Sequence, residues 1–290
     1  MSDVASKVEV LMEAMPYLQR YAGKTVVVKY GGNAMINAEL KDAVMHDIVL
    51  LKLLGMRPVL SHGGGPGINR MLEQLDIPVQ FINGLRYTSE DTMRIVEAVL
   101  VGQVNTELVG YINKLGGRAV GLSGVSGNIY YCHKRSEELG FVGDIDRVNV
   151  EAINAVQDAG FIPVVAPVGT DGQGNTYNIN GDTAAGKLAS ALGAEKLILL
   201  TDIEGLCNDV KLHDVISYLN IRDVPMLREK GVIAGGMIPK IDCCVQAIEE
   251  GVASVHIIDG RKPHSILYEA FAGEAQGTTI GTARDSVGIK

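Results

Sequence analysis

Arg57-Pro-Val-Leu-Ser-His-Gly-Gly-Gly-Pro-Gly-Ile-Asn-Arg70 is the stretch that decides the fold. Val59 to Ser61 reads as a short buried strand. Gly63, Gly64 and Gly65 then let the backbone turn with positive φ and come close to a ligand. Ile68, Met71, Leu72 and Leu75 recur at helical spacing, so the turn ends at a helix N-terminus. Unpaired N–H groups and the helix dipole favour an anion there, most often a phosphate. A tight turn without a ligand is the plainer reading of glycines taken alone.

Working outward, Lys24 to Tyr30 is a β-branched run closed by Gly31 and Gly32, a second glycine turn on the same rim of a parallel sheet. Lys29 is costly at the end of a buried strand unless it is paired, and beside such a turn it can carry charge to a ligand. Leu40 to Leu54 is an amphipathic helix stopped by Gly55, which completes the strand-helix-strand-helix signal of a parallel sheet. Downstream, Phe81 to Glu90 leads into a helix capped near Thr88 or Ser89. Arg86, just before that cap, can grip a carboxylate in a bidentate fork or end in a surface salt bridge. A long helix from about Glu90 to Asn113 is broken at Gly102, and its apolar face suits either a core or a dimer seam. Arg118 to Ser123 is a strand, and Asn128 to His133 with Phe141 to Ile145 resembles a hairpin.

The second half repeats the grammar. Val150 to Ala159 is a helix, Phe161 to Val165 a strand, and Gly169 to Gly174 a turn feeding Thr176 to Asn180. Asp182 caps the next helix, from about Thr183 to Leu192, with Asn178 and Asn180 before it. Gly181 to Lys187 imitates a Walker A loop, but Leu188 stands where a hydroxyl residue belongs and the preceding run is polar, so Lys187 is a helix-surface lysine. Lys196 to Asp202 is the clearest buried strand, with Thr201 and Asp202 at its C-terminal rim. After a helix ending near Lys230, Gly235-Gly-Met-Ile-Pro-Lys240 flows into a helix of Ile241, Val245 and Ile248. Lys240 in the first turn opposes the dipole and needs a compensating anion, which a nucleotide phosphate provides. Val252 to Ile258 is the last main strand, followed by a helix from about Pro263 to Phe271 and a short edge strand, Gly277 to Gly281.

At 290 residues, 47% hydrophobic and 21% charged, the chain can bury a large α/β core. A net charge of −8 argues against a protein that works by neutralising nucleic-acid phosphates. Cys132, Cys207, Cys243 and Cys244 lack metal-ligand spacing and read as reduced thiols. With no apolar run of bilayer length and no basic, apolar leader, the expectation is a cytoplasmic protein without a membrane partner. Two glycine turns, two lysines beside glycine-rich ends and one aspartate suggest phosphoryl transfer, which needs positioning and charge neutralisation more than covalent help.

Lys29-Tyr-Gly-Gly, His62-Gly-Gly-Gly, Asn83-Gly-Leu-Arg86, Asn178-Ile-Asn-Gly-Asp182 and Gly236-Met-Ile-Pro-Lys240, in that order, resemble the amino-acid kinase family in its acetylglutamate-phosphorylating branch. The resemblance implies a three-layer αβα sandwich around a mostly parallel open sheet. It implies a helical arm over 1–22, an acyl-amino-acid-binding and dimerisation lobe over 23–168, and an ATP lobe over 169–290. It further implies transfer of the ATP γ-phosphoryl group, with Mg²⁺ on the phosphates, to the γ-carboxylate of N-acetyl-L-glutamate, the second step of arginine synthesis. Lys29 and Lys240 resemble the pair that stabilises the transferring group, and Asp182 the residue that orients them. Gly31, Gly32, Thr201 and Asp202 then fall to ATP, and Gly64, Gly65, Arg86 and Asn178 to the acceptor. One departure is Ser123-Gly-Val-Ser-Gly127, where the family has Gly-Lys-Asp-Gly, which puts flap contacts in question.

Val4, Val8, Leu11, Met12 and Met15 line one face of an added N-terminal helix that Pro16 kinks or ends. It reads either as domain packing or as an arm reaching another subunit. Through Met15-Pro-Tyr17 it resembles the arginine-inhibited branch, hexameric as a trimer of dimers, which suggests an effector site at Tyr17, His256, Glu269 and Gly277. A sibling kinase for N-acetylaminoadipate or an aspartate carboxylate stays open, as does a PII-type signalling partner. A silent effector-binding module predicts loss of the lysine pair, which is present.

Overall fold

The computed structural model describes residues 3–35, 37–209, 212–271 and 276–282. Its frame is an eight-stranded sheet in the order Tyr218–Asn220, Gly277–Gly281, Ser254–Asp259, Lys196–Thr201, Thr25–Tyr30, Arg57–His62, Ile162–Ala166, Ala119–Ser123. All neighbours pair in parallel except Gly277–Gly281 against Ser254–Asp259, so the sheet is mostly parallel. The expected edge strand at Gly277–Gly281 therefore lies one place in, and Tyr218–Asn220 forms that edge.

Alternation along each strand builds the layers. Val27, Leu197, Leu199, Val255 and Ile257 pack with Ala184, Leu188, Ile241 and Ala247, from helices Gly181–Ala191 and Met237–Glu249. Val26, Val28, Ile198, Leu200 and Ile258 face the other way, onto Val44, Ile48, Leu108, Ile112 and Ile266, from helices Ala38–Leu53, Thr106–Lys114 and Ser265–Phe271. Successive strand residues point to opposite faces, so buried central strands must be apolar on both, and these are. The expected αβα sandwich is what forms.

A four-stranded sheet in the order Thr176–Asn178, Val168–Thr170, Tyr130–Lys134, Gly143–Val148 contains the anticipated hairpin. In the unusual turn Ser126 Oγ accepts from Ser123 N–H at 3.1 Å, so a serine closes the loop locally.

Three local expectations change. The N-terminal helix, Asp3–Tyr21, runs on through Pro16. The long helix is not broken at Gly102: Glu90–Glu97 and Thr106–Lys114 are joined by a π-helical segment, Ala98–Asn105. The whole of Glu90–Lys114 reaches bilayer-spanning length and apolarity, where no such run was expected. Val96, Val99, Leu100, Leu108 and Ile112 are buried in the core, which accounts for its composition. Cys132, Cys207, Cys243 and Cys244 are unpaired thiols, as expected.

Candidate active site

The C-terminal rim of the sheet collects the predicted residues. Lys29 lies one position before the end of Thr25–Tyr30, on the face of Val27, and so points toward the N-terminus of helix Gly181–Ala191. Its Nζ is 2.9 Å from Asp182 Oδ1, and Lys240 Nζ donates to Asp182 Oδ2 at 2.5 Å. Burial opposes the charge on Asp182, but the ammonium groups of Lys29 and then Lys240 outweigh it and hold the carboxyl far below the usual carboxylate range. One carboxylate against two ammoniums leaves a net positive centre flanked by two helix N-termini.

Asp182 is not the helix cap, contrary to the sequence reading. Asn180 Oδ1 accepts from Asp182 N–H at 3.0 Å and Thr183 N–H at 3.1 Å. Capping by Asn180 leaves the Asp182 side chain for the lysines.

Two cavities meet at Lys29 and Gly32. One, of about 350 Å³, is lined by the Gly63–Gly65 turn with Arg86, Asn178 and Asp182. The other, of about 410 Å³, is lined by Thr201, Asp202, Gly236, Met237 and Lys240. Gly32 sits at φ +67°, in the left-handed region, and a Cβ there would come 2.7 Å from Asp202 Oδ1. A Cβ at Gly31 would meet Lys29 Nζ at 2.7 Å. Thr201 Oγ1 lies 3.1 Å from Ile203 O and 3.3 Å from Ile258 O, either of which can take its one proton, and accepts from Ile203 N–H at 3.3 Å, so it shapes this rim through the turn.

The Gly63–Gly65 turn does not use positive φ as expected: Gly64 is extended at φ 177°. Its glycines serve close approach, since a Cβ on Gly64 would collide with Leu100 Cδ2.

Arg86 is 8% exposed, with Nη2 donating to Asn69 Oδ1 at 2.5 Å and the guanidinium 4.8 Å from the Phe81 ring centroid. Its buried Nη1 has no hydrogen-bond partner among the described residues. Burial pushes its pKa down, the signature of a desolvated cation that an anion would relieve. Asn178 Nδ2 donates to Thr88 Oγ1, which donates to Arg86 O, so one chain of bonds sets both residues at the cleft. Asn69 and Thr88 carried no glycine or charge signal in the sequence.

At the opposite end of the sheet, His256 Nδ1 donates to Glu269 Oε1 at 2.7 Å, and Gln276 N–H to Glu269 Oε2 at 3.1 Å. Lys196 Nζ lies 4.0 Å from Glu269. Gly277 closes this corner, where a Cβ would collide with Ile257 O. Tyr17 instead packs edge-on against Phe271, with centroids 6.4 Å apart. A small cavity of about 90 Å³ here is lined by Arg20, Tyr21, Lys196 and His256. Arg20 and Tyr21 lie one helical turn beyond Tyr17, and Lys196 opens the strand Lys196–Thr201.

An open αβα sandwich with a cationic centre at its C-terminal rim, between two cavities, is the frame of a small-molecule kinase. The chain belongs to the amino acid kinase family, whose sequence profile matches residues 24–259. It is 50% identical over 287 residues to the acetylglutamate kinase of Heliobacterium modesticaldum, covering 94% of this chain and 97% of that one. It is 51% identical over 278 residues to that of Trichormus variabilis, covering 95% and 94%. Among solved structures, Neisseria gonorrhoeae N-acetylglutamate synthase with coenzyme A and N-acetyl-glutamate superposes with a TM-score of 0.82 at 27% identity, over 97% of this chain but 63% of the synthase. Carbamate kinase from Giardia lamblia, at 17% identity and a TM-score of 0.63, shares the fold.

Proposed function

We propose that this chain carries out ATP-dependent phosphorylation of N-acetyl-L-glutamate on its γ-carboxylate, feeding arginine synthesis. The observation that carries the reading is the Lys29–Asp182–Lys240 cluster standing where two cavities join. Relatives of this name at about half identity over nearly the whole chain support it.

On this reading the Arg86 cavity takes the acceptor. The guanidinium grips the α-carboxylate, Asn178 orients the acetamido group, and Gly64 and Gly65 N–H groups hold oxygens of the reacting carboxylate and the transferring group. The cavity at Gly31, Gly32, Thr201 and Asp202 takes the nucleotide phosphates. Mg²⁺ would be carried on the nucleotide phosphates, with the Asp202 carboxylate, in the lining of the same cavity, holding it through water. Bound that way, the ion supplies charge neutralisation on the phosphate oxygens. Lys29 and Lys240 sit on either side of the transfer line, where negative charge grows between acceptor and leaving oxygens. Asp182 keeps both ammoniums aimed there. Residues 23–168 then form the acceptor lobe and 169–290 the nucleotide lobe.

For regulation, we read the helix Asp3–Tyr21 as a ring-forming arm over 1–22. Its Val8, Leu11, Met12 and Met15 are exposed on one face, which a neighbouring dimer of a hexamer would cover. Arginine, as inhibitor, would sit beside Glu269, His256 and Gly277 under the end of that helix. A structure of the gonococcal synthase with L-arginine, 26% identical to this chain, is consistent with an arginine site on this fold.

The deciding test is coupled ADP release with N-acetyl-L-glutamate, N-acetyl-L-aminoadipate and N-acetyl-L-aspartate, with and without arginine. A preference for acetylglutamate is expected. A preference for either homologue would replace the acceptor assignment and leave the kinase frame standing.

A further inference from the structure

The π-helical segment Ala98–Asn105 packs behind the Gly63–Gly65 turn. Leu100 and Val104 fill the space a Cβ on Gly64 would need, and Val99 does so at Gly67. An extra residue in a helical turn re-aims the side chains that follow, and here Asn105 ends the segment buried against the sheet. Its Nδ2 is 3.0 Å from His62 Nε2, 2.9 Å from Val164 O and 3.3 Å from Leu122 O. A flipped amide would set its oxygen against two carbonyls, so the nitrogen must face them. Asn105 Oδ1 occupies the place where a Cβ on Gly121 would stand.

His62 is fully buried, with Nδ1 2.8 Å from Gly63 O. A carbonyl only accepts, so Nδ1 carries the proton and Nε2 accepts from Asn105. Burial lowers its pKa to about 4 against the opposing pull of the Gly63 bond, so the ring is neutral at physiological pH. In a trans peptide the carbonyl and the next N–H point opposite ways. With Gly63 O held by His62, the Gly64 N–H points the opposite way across that peptide, and Gly63, Gly64 and Gly65 line the acceptor cavity. Gly63 N–H in turn donates to Tyr30 O at 2.8 Å, which ties the turn to the strand carrying Lys29.

We propose that Asn105 and His62 are positioning residues for phosphoryl transfer: Asn105 fixes His62 as the Nδ1–H tautomer, and His62 locks the Gly63–Gly64 peptide with the Gly64 N–H facing the acceptor. Neither side chain lines the cavity, so both act through the backbone. The inference rests on the assignment of the glycine turn to the acceptor site.

Long-range ¹H–¹⁵N correlation of histidine-labelled, unliganded protein reads the tautomer directly, with the His62 signals identified by their loss in His62→Gln. The expected pattern is a protonated Nδ1 and an unprotonated Nε2 that does not titrate between about pH 5.5 and 8. A second tautomer should become populated in Asn105→Ala. In the kinase assay His62→Gln, which loses the donor at the Nδ1 position, should lower kcat about 10- to 100-fold with KM for ATP little changed. His62→Asn, whose Nδ2 can stand in place of Nδ1, should recover most of that loss at comparable Tm. An Nε2–H tautomer in the wild type overturns the proposal, whatever the variants do. Equal losses in His62→Gln and His62→Asn, or a loss confined to KM for ATP, overturn it as well. The tautomer does not depend on which acceptor is used, so a failed acetylglutamate assay with the expected tautomer would strike the substrate assignment alone.

Discussion

Asp182 and Glu269 lie toward opposite ends and on opposite faces of one sheet, and each is a carboxylate between two basic side chains. At Asp182 the partners are two lysines, and the carboxylate, 18% exposed, stands in the wall of one cavity while both lysines line the other. At Glu269 they are Lys196 and His256, and the carboxylate is 4% exposed beside a cavity a fraction of the size. Taken by themselves, the three side chains of the first cluster carry one formal positive charge in excess. In the second, burial and then Lys196 depress the His256 pKa against the pull of Glu269, so a neutral histidine balances the site. The same motif thus serves two purposes: a standing positive field suits phosphate, whereas a balanced, enclosed cluster suits a ligand that brings its own cation.

The largest expected effect tests the first half of that contrast. Lys29→Ala and Lys240→Ala should each lower kcat by on the order of 10²-fold or more, with smaller changes in either KM, because the charge they meet grows in the transition state. Steady-state kinetics of both variants measure it. A variant with near-native kcat would show that its lysine serves only to satisfy Asp182.

Next in size is Arg86→Lys. A lysine keeps the charge but loses the fork and the Asn69 bond, at about 1.5 to 3 kcal/mol for a charged hydrogen bond, which is roughly 10- to 150-fold. KM for acetylglutamate should rise by such a factor, with KM for ATP unchanged. A rise in KM for ATP instead would move Arg86 to the nucleotide side.

These two tests address what was most legible in the sequence. Strand Thr25–Tyr30 and the Gly63–Gly65 turn could be read because glycine and lysine are costly in a buried strand end and need a reason. What escaped reading was contact between distant parts: Asn105 on His62, Asn69 on Arg86, Arg20 and Tyr21 over Lys196. A π-helical register leaves no mark in composition, so Gly102 looked like a break where the chain only widens its turn. Asp182 was mistaken for the cap because aspartate and asparagine are near-equivalent in that role, and only geometry shows which side chain turns back to the helix.

A third test addresses the second cluster. Glu269→Gln should leave kcat and the oligomer intact while weakening arginine inhibition, since the amide oxygen can still accept from Gln276 N–H or His256 while the charge is gone. Alanine would be a poorer choice, because it strands Lys196 without its buried partner. Removing residues 1–20 should give an active dimer with weakened inhibition, because every predicted catalytic residue lies beyond Val28. Light scattering and arginine titration separate the two variants. A truncated protein that stays hexameric and fully arginine-sensitive would return the helix to plain domain packing.

The smallest effect is in pH, and it distinguishes the clusters without any ligand. Asp182 has a folded pKa below its unfolded value, so the stability it lends is present above about pH 3.8 and lost only as pH falls below it. His256 also has a folded pKa below its unfolded value, but from the other charge type: the unfolded chain takes up the proton first, so stability falls as pH drops through about 6.5. The charged groups facing His256 are Lys196, which opposes protonation, and Glu269, which favours it; Ser254 and Thr279 add neutral hydroxyls. Urea unfolding at pH 7.5 and 5.5 should therefore show a loss of stability in the wild type. His62, also buried neutral, contributes to the same loss, so the loss should shrink but not vanish in His256→Asn, whose Nδ2 can keep a bond to Glu269 without titrating. Asp182→Asn should leave the slope over that interval unchanged. An equal slope in wild type and His256→Asn would mean that Glu269 holds the His256 proton through this range, and the second cluster would then be as permanently charged as the first.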